Sequence, residues 1–321
     1  MRGATRAEYR LCIVDSILEI PAFARLSDYI GWWAIDPLAA VSLCRLVSSI
    51  DLSTHIQEHR QEPKALVEKF AGPEGKSIAV LKLTGLLMKG QSSLGGTSTV
   101  QARREIRAAA NDPEVGGIVL AIDSPGGTVA GTADLAEDVR VAAKRKPVMA
   151  HVDDLGASAA YWVASQANRI TANCPTCMVG SIGTIQVVHD VSAAAEREGV
   201  KVIALTTGPL KGTGVPGTKI TDEQISHLQG MVNAIQGNFD AAVQKGRGLT
   251  AKQLAAVKHG GAILAPAAQE AGLIDAIQPL SKTMADMQTA IKAGASAVLS
   301  RPTGGLPVIQ RRRLPMISHG V

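Results

Sequence analysis

Aromatic side chains are scarce in this 321-residue chain: three Trp, three Tyr and three Phe make up 3% of it. Proteins that bind single-stranded nucleic acid usually stack the bases on aromatic platforms, so the composition argues against that class. An excess of one charge sign is also small, because 33 Lys and Arg against 28 Asp and Glu leave a formal net charge of +5. We therefore expect no nucleic-acid partner.

Long apolar runs are missing as well. No segment reaches the ~18 consecutive apolar residues that a membrane-spanning helix needs. Near the N-terminus, Glu8, Asp15 and Glu19 interrupt the apolar residues, and no small-residue cleavage site follows a clean apolar run. We therefore expect no membrane span and no export signal, and we expect a cytoplasmic protein.

Cysteine is limited to four residues. Cys12 and Cys44 stand alone, whereas Cys174 and Cys177 form one CPTC motif. A single C-x-x-C is half of a zinc site or a redox pair, and no second pair lies nearby. We interpret the two residues as small buried side chains in a loop, and we expect neither a metal site nor a cofactor.

The hydrophobic content of 46% is enough for an ordinary globular core. AGPEG at 71–75 interrupts the pattern and suggests a boundary. We therefore predict a helical N-terminal extension over residues 1–74, a central domain over 75–284, and a flexible basic tail over 285–321 that includes Arg311, Arg312 and Arg313. This tail is either a docking peptide or a solvated end.

Short apolar strands alternate with helices through the central domain. GGIVLAID at 116–123 is continuously apolar, which is typical of a strand buried on both faces. The predicted strands are 77–88 (as a pair), 116–123, 147–153, 169–173, 180–188 and 201–208, and the predicted helices are 100–110, 132–144, 156–167, 191–199 and 220–243. Strands and helices in this order predict an α/β fold.

Three glycine-containing turns follow or flank these strands: DSPGG at 123–127, GASAA at 156–160 and GSIG at 180–183. In α/β sheets ligands usually bind at the strand ends. Gly126 and Gly127 would let the backbone approach a substrate closely and offer N–H groups to a developing negative charge. The alternative is a tight turn that needs glycine only for its dihedral angles.

Ser158 lies at the junction between a predicted strand and a predicted helix. There its hydroxyl can point away from the sheet, next to the unpaired N–H groups of the helix start. The small neighbours Ala157, Ala159 and Ala160 leave room for a carbonyl carbon. Ser158 is therefore a candidate nucleophile, although serine is also a common helix cap.

A serine nucleophile needs a base. His151 with Asp153 or Asp154 would form a triad, but residues 151 and 153 share one face of a strand, which restricts the carboxylate. His189 is a second histidine candidate. Lys211 follows a predicted buried strand, and burial would lower its pKa and allow it to act as base; otherwise it is a solvated surface charge.

These segments together resemble the signal peptide peptidase A (protease IV) family of serine-lysine peptidases, and most closely its phage-encoded head-maturation branch. The resemblance covers roughly residues 75–280. Its motifs are DSPGG at 123–127, GASAAYWVASQANRI at 156–170, GSIGT at 180–184, TTGPLKGTGVPGTKITDEQ at 206–224, and KGRGLTAKQL with AAQEAGLID within 245–275. WWAIDPLAAV at 32–41 is similar to the leader of the phage branch.

The resemblance implies a role for each matching residue. Ser158 would be the nucleophile, Lys211 the general base, and Ser181 the residue that hydrogen-bonds and orients the lysine. The oxyanion hole would be formed by the N–H groups of Gly127 and Ala159. Cellular members usually have Gly-Gly where this chain has Ala159-Ala160, so we expect a narrower site that accepts small side chains at the cleaved position.

The resemblance also implies the fold of caseinolytic protease and the crotonases, with stacked β-β-α units that commonly assemble into rings. A homo-oligomer is therefore expected, in which serine and lysine can come from neighbouring copies. For the phage branch, the implied substrates are scaffold, portal or capsid proteins inside an assembling procapsid in the host cytoplasm.

Three alternatives remain open from the sequence. One is a cellular enzyme that degrades cleaved signal peptides. Another is a crotonase-like acyl-coenzyme A enzyme, which shares the fold and also uses paired backbone amides. The third is an inactive shell or scaffold component, against which the presence of both Ser158 and Lys211 argues.

Overall fold

The computed structural model describes residues 32–37, 39–43, 66–91 and 95–294. The strands are β1 (Trp33–Ile35), β2 (Val67–Ala71), β3 (Ser77–Thr84), β4 (Leu87–Met88), β5 (Thr97–Ser98), β6 (Val115–Ser124), β7 (Gly126–Thr128), β8 (Val148–Ala157), β9 (Arg169–Ala172), β10 (Met178–Gly180), β11 (Ala262–Leu264) and β12 (Ala276–Ile277). The helices are α1 (Thr99–Asn111), α2 (Thr132–Ala143), α3 (Ala159–Ala164), α4 (Ser192–Arg197), α5 (Asp222–Arg247), α6 (Ala251–Val257), α7 (Ala265–Glu270) and α8 (Leu280–Lys292).

The larger sheet has the strand order β11-β10-β8-β6-β3-β2. Its central strands run parallel, and the outer strands β2 and β11 are antiparallel to their neighbours. β9 joins the first half of β8 and is itself paired with β12, whereas β10 joins the last three residues of β8. The predicted α/β class is confirmed.

A smaller sheet has the order β1-β7-β4-β5, and its strands β4 and β7 follow β3 and β6 directly in the chain. Two β-β-α units result: β3 leads through β4 to α1, and β6 leads through β7 to α2. The stacked units that the resemblance implies are therefore present. Because β6 and β7 are separated by Pro125 alone, the chain changes sheets abruptly at the DSPGG turn.

β6 is buried on both faces, as its unbroken apolar sequence predicts. Ile118, Leu120 and Ile122 belong to the main core, which also includes residues of α1, α2, α3 and α5. Val119 and Ala121 face a second cluster that contains residues of α8. Helices on both faces of the strands thus remove the sheet from water.

Several predicted elements differ from the structure. Residues 156 and 157 end β8 and do not begin a helix, and the predicted strand 180–188 is reduced to the end of β10 plus a single bridge at Ile185. Residues 201–208 do not form the predicted strand; within the described part of the chain no strand pairs with this segment, and Ile203 and Leu205 are exposed. A hydrophobic pattern alone does not show whether a segment finds a strand to pair with.

The described parts of the N-terminal segment are not only helical. β1 and β2 both lie within residues 1–74, and β2 pairs with β3, so the larger sheet already begins at Val67. At the other end, α8 continues to Lys292. Cys12, Cys44 and Arg311 to Arg313 lie outside the described residues. Among the residues that are described, no helix combines the length and apolarity needed to cross a bilayer.

Candidate active site

Ser158 occupies a sharp turn between β8 and α3. Its φ of 53° and ψ of −117° lie outside the regions that L-residues commonly adopt. The Ser158 N–H donates to the Gly180 carbonyl at 2.7 Å, and the Ser158 carbonyl accepts from the Trp162 N–H at 2.8 Å. A strained strand-to-helix turn of this kind is the way in which several hydrolases project a nucleophilic serine.

The Ser158 side chain is held close to the third glycine turn. Its hydroxyl donates to the Gly183 carbonyl at 3.3 Å, and no part of the residue is exposed to solvent. Ser158 does not cap α3 with its side chain, although it occupies the cap position. The capping alternative that the sequence left open is therefore wrong in its usual form.

The DSPGG turn packs directly against this serine. A Cβ built on Gly126 would lie 3.0 Å from the Ser158 Cβ and 2.9 Å from the Ala159 nitrogen, and the Gly126 φ is +100°. Both the contact and the backbone angle require glycine. Ser124 fixes the turn, because its hydroxyl donates to the Gly85 carbonyl at 2.6 Å and accepts from the Gly126 N–H at 3.2 Å.

Ser181 lies in the third turn with a φ of 49° and is almost fully buried. Its hydroxyl donates to the Gly260 carbonyl at 3.0 Å, and its N–H donates to the Gly261 carbonyl at 3.1 Å. The structure therefore brings Ser158 and Ser181 into one region, through the turn that also contains Gly183. It shows no contact of Ser181 with a lysine among the described residues.

The His151 side chain contacts residues of β9 and α8. Its Nδ1 lies 2.8 Å from the Thr171 hydroxyl and 3.2 Å from the Thr283 hydroxyl, beneath α8. The carboxylate of Asp153 is 3.6 Å from Nε2, which is too long for a hydrogen bond. Burial lowers the pKa of His151 to about 4. These contacts argue against a triad built on His151.

Lys211 lies on the segment between α4 and α5, and it is exposed in the single chain. Its N–H belongs to a turn and donates to the Gly208 carbonyl at 3.2 Å. The expectation that burial desolvates this lysine does not hold within one copy. His189 is half-buried in the loop before α4. Proximity of Lys211 to Ser158 stays a prediction about the assembled protein.

The CPTC motif forms no disulfide. The two sulfur atoms lie 3.5 Å apart, and the Cys177 thiol donates to the Asp153 carbonyl at 2.8 Å. A hydrogen bond from the Thr176 hydroxyl lowers the pKa of the Cys174 thiol, whereas burial raises that of Cys177. With Asp154 the two thiols offer three metal-ligating atoms, one fewer than a closed structural zinc site uses.

Sequence reasoning overlooked two features of this region. Ser124 was treated only as part of a glycine motif, although a serine between a strand and Pro-Gly could have suggested a turn-stabilising hydroxyl. The strand β1 was also missed. Its three residues, Trp33, Ala34 and Ile35, lie buried beside the DSPGG turn, and a span so short gives no periodicity signal.

Comparison with known proteins identifies the family. Residues 140–294 match the model of peptidase family S49. Capsid assembly protease C of Escherichia phage lambda is 32% identical over 229 residues, which cover 68% of this chain and 50% of that protein. Protease 4 of Salmonella typhi is 28% identical over 211 residues, which cover 65% of this chain and 34% of that protein.

The chain thus spans half or less of the length of these two relatives. Among solved structures, an enoyl-CoA hydratase from Mycobacterium smegmatis aligns with a TM-score of 0.44 at 14% identity, over 74% of this chain and 80% of that one. The matched family segment includes Ser158, Ser181 and Lys211. Residues 140–294 of this chain are therefore a domain of peptidase family S49.

Proposed function

We propose that this chain is a serine endopeptidase with Ser158 as nucleophile and Lys211 as general base. The observation that carries the proposal is the turn of Ser158, which sets a buried hydroxyl at the junction of all three glycine turns. Membership in peptidase family S49 favours this activity over that of an acyl-coenzyme A enzyme.

The oxyanion hole of the proposal consists of the N–H groups of Ala159 and Gly127. Ala159 is the first residue of α3, so its N–H has no acceptor within the helix. Gly127 follows the glycine that packs on Ser158. Loss of one donor that points at a developing oxyanion lowers the reaction rate on the order of 10²–10³-fold.

Lys211 would approach Ser158 from a neighbouring copy of the chain. The segment that contains Lys211 is poorly covered in the single chain: Leu205 is 93% exposed and Ile203 is 68% exposed. Large apolar side chains exposed together often mark a surface that another protein covers. A homo-oligomer would bury this segment and place the lysine among apolar groups. Ser181 would then orient it.

The proposed reaction has two stages. Neutral Lys211 accepts the hydroxyl proton as Ser158 attacks a peptide carbonyl carbon, and the ammonium then protonates the leaving amine. Water attacks the resulting ester, which releases the acid product and restores the serine. The methyl groups of Ala159 and Ala160 would narrow the proposed site, so a small residue is expected at the cleaved position.

The proposed substrates are scaffold, portal or capsid proteins of a phage head, cleaved in the host cytoplasm during procapsid assembly. This assignment is supported by the name of the lambda relative, a capsid assembly protease. The similarity to protease 4 keeps a cellular peptidase as the second candidate. Co-expression of the wild type or Ser158→Ala with candidate head proteins, read by mass spectrometry of the fragments, separates the two.

The catalytic assignment is tested with three variants and one mixture. Ser158→Ala and Lys211→Ala should each abolish cleavage of a casein substrate, whereas Lys201→Ala, an exposed lysine in the same loop region, should retain it. If serine and lysine come from different copies, unfolding and refolding the two inactive variants together should restore part of the activity. Full activity of Lys211→Ala would refute the dyad.

A further inference from the structure

The strand β1, Trp33–Ile35, is enclosed on both edges beside the nucleophile. One edge pairs antiparallel with β7, which begins in the DSPGG turn. On the other edge, Trp33 and Ile185 exchange two hydrogen bonds, at 3.1 and 2.9 Å. β1 therefore fills a slot between two segments that each extend from a glycine turn of the site.

The register of β1 places one particular carbonyl group at this site. The Val129 N–H donates to the Trp32 carbonyl at 2.9 Å, and the Asp36 N–H donates to the Pro125 carbonyl at 2.7 Å. In an antiparallel ladder, hydrogen-bonded pairs recur at every second residue. The pair midway between these two is Ala34 opposite Gly127. The Ala34 carbonyl oxygen therefore faces the Gly127 N–H.

The same oxygen lies close to the turn of the nucleophile. A Cβ built on Gly126 would be 2.2 Å from the Ala34 carbonyl oxygen, 2.9 Å from the Ala159 nitrogen and 3.0 Å from the Ser158 Cβ. One small volume is thus bordered by the carbonyl of β1, by a candidate oxyanion donor and by the nucleophilic residue. A substrate's reacting carbonyl would have to enter this volume.

The side chain at this position also fits the site. Ala34 is fully buried, and Trp33 and Ile35 on either side of it are at most 7% exposed. Alanine is also a small residue, as proposed above for the cleaved position. β1 therefore has the position, the backbone pairing and the residue size of a bound peptide.

We propose that β1 is a built-in occupant of the peptide-binding groove and competes with substrates for it. The groove is the slot between β7 and Ile185, and Ala34 takes the place of the residue whose carbonyl is attacked. A substrate would enter as an extended strand and replace the same main-chain hydrogen bonds. This inference rests on the proposed peptidase function, and it adds a reversible block to that site.

Peptide binding tests the inference without requiring catalysis. The probe is a fluorescein-labelled peptide with the sequence of residues 32–37, Trp-Trp-Ala-Ile-Asp-Pro, and the protein is the full chain with Ser158→Ala. Adding Ala34→Asp places a charge in a fully buried position and should displace β1. Because an occupied groove reduces apparent affinity by the fraction of open molecules, we expect about tenfold tighter binding of the peptide.

Two further variants control this comparison. Ala34→Gly keeps the backbone pairing and a neutral side chain, so peptide binding should stay close to that of Ser158→Ala alone. Trp33→Pro removes the N–H that donates to Ile185. This variant is measured in place of Ala34→Asp if circular dichroism shows that Ala34→Asp does not fold. Unchanged or weaker peptide binding in a folded, β1-displaced variant would overturn the inference.

The same measurements separate the inference from the proposed function. In one outcome, the variants that displace β1 bind the peptide more tightly, but the same variants with Ser158 restored cleave nothing. The peptide groove and its occupant β1 are then supported, and the peptidase assignment fails. If the wild type cleaves casein and displacement of β1 does not raise that rate, the peptidase assignment stands and the occupant is refuted.

Discussion

Arg247 and Asp275 form a bidentate ion pair that joins the end of α5 to the segment before β12. The two guanidinium nitrogens lie 3.0 and 2.8 Å from the carboxylate oxygens, and the Arg247 side chain is 2% exposed. Asp275 also accepts from the Ile170 N–H at 2.6 Å, so the same carboxylate anchors the start of β9. The pair therefore holds the KGRG and GLID motifs together.

Removal of this carboxylate should destabilise the fold. Asp275→Ala leaves a buried guanidinium without its counter-charge, which typically costs about 3–5 kcal/mol. Urea unfolding measures the loss. The control is Lys258→Ala, which breaks the exposed pair with Asp240 and should cost at most about 1 kcal/mol. Equal losses in the two variants would show that Arg247 finds other partners.

A methyl group on Gly126 should block the site. Gly126→Ala would place its Cβ 2.2 Å from a backbone oxygen at a φ of +100°, so the turn has to move. We expect casein cleavage to fall at least about 100-fold, the range seen for a lost oxyanion donor. The matched control is Gly237→Ala in α5, where nothing lies within 4 Å.

Gly237→Ala should keep full activity and gain about 0.5–1 kcal/mol of stability, because alanine favours a helix over glycine. Wild-type activity in Gly126→Ala would mean that the DSPGG turn does not border the reacting carbonyl.

The strained turn of Ser158 should have a measurable energetic cost. Glycine adopts a positive φ freely, whereas alanine does not. Both Ser158→Gly and Ser158→Ala remove the hydroxyl, so both should be inactive, but Ser158→Gly should be more stable by about 1 kcal/mol. Thermal unfolding of the two variants provides the comparison. A lower melting temperature for Ser158→Gly would indicate that the turn is unstrained.

His151 should make the fold sensitive to acid. Its pKa falls from 6.5 to about 4 because of burial, so between these values the unfolded chain binds a proton that the folded chain does not. Stability should therefore decrease as the pH is lowered from 6.5 toward 4. His151→Asn should show a smaller decrease in urea unfolding across that window.

The groups that face His151 are the hydroxyls of Thr171 and Thr283 and, at 3.6 Å, the carboxylate of Asp153. A parallel decrease in the wild type and His151→Asn would assign the acid sensitivity to other groups. His151 stays neutral near pH 6.5, so its protonation should not appear in the pH dependence of the cleavage rate. The wild type and His151→Asn should therefore show the same pH–rate profile in that range.

Elements that are locally encoded were predictable from the sequence. β6 and α2 are set by an unbroken apolar run and by a four-residue apolar spacing, and both are found close to their predicted bounds. The position of Ser158 after β8 followed from the change between strand and helix patterns. Its positive φ did not follow, because an L-residue rarely adopts that conformation and nothing in the local sequence marks it.

Features that depend on distant partners were not predictable. Residues 201–208 contain four consecutive apolar residues, yet no strand among the described residues pairs with them. β1 shows the opposite case, since three residues become a strand only because β7 and Ile185 offer hydrogen bonds on both edges. The exposure of Lys211 likewise reflects the surroundings of its loop and not its own sequence.

The contacts on β1 also suggest how a ligand for the proposed peptidase site could be designed. The main chain of Trp32 and Trp33 is hydrogen-bonded to Val129 and Ile185, and the side chains of Trp33 and Ile35 pack in an apolar cluster, so the slot holds an extended backbone together with apolar side chains. A short peptidomimetic that keeps those amide donors and acceptors, and ends in an electrophile at the alanine position, would be an affinity label for Ser158.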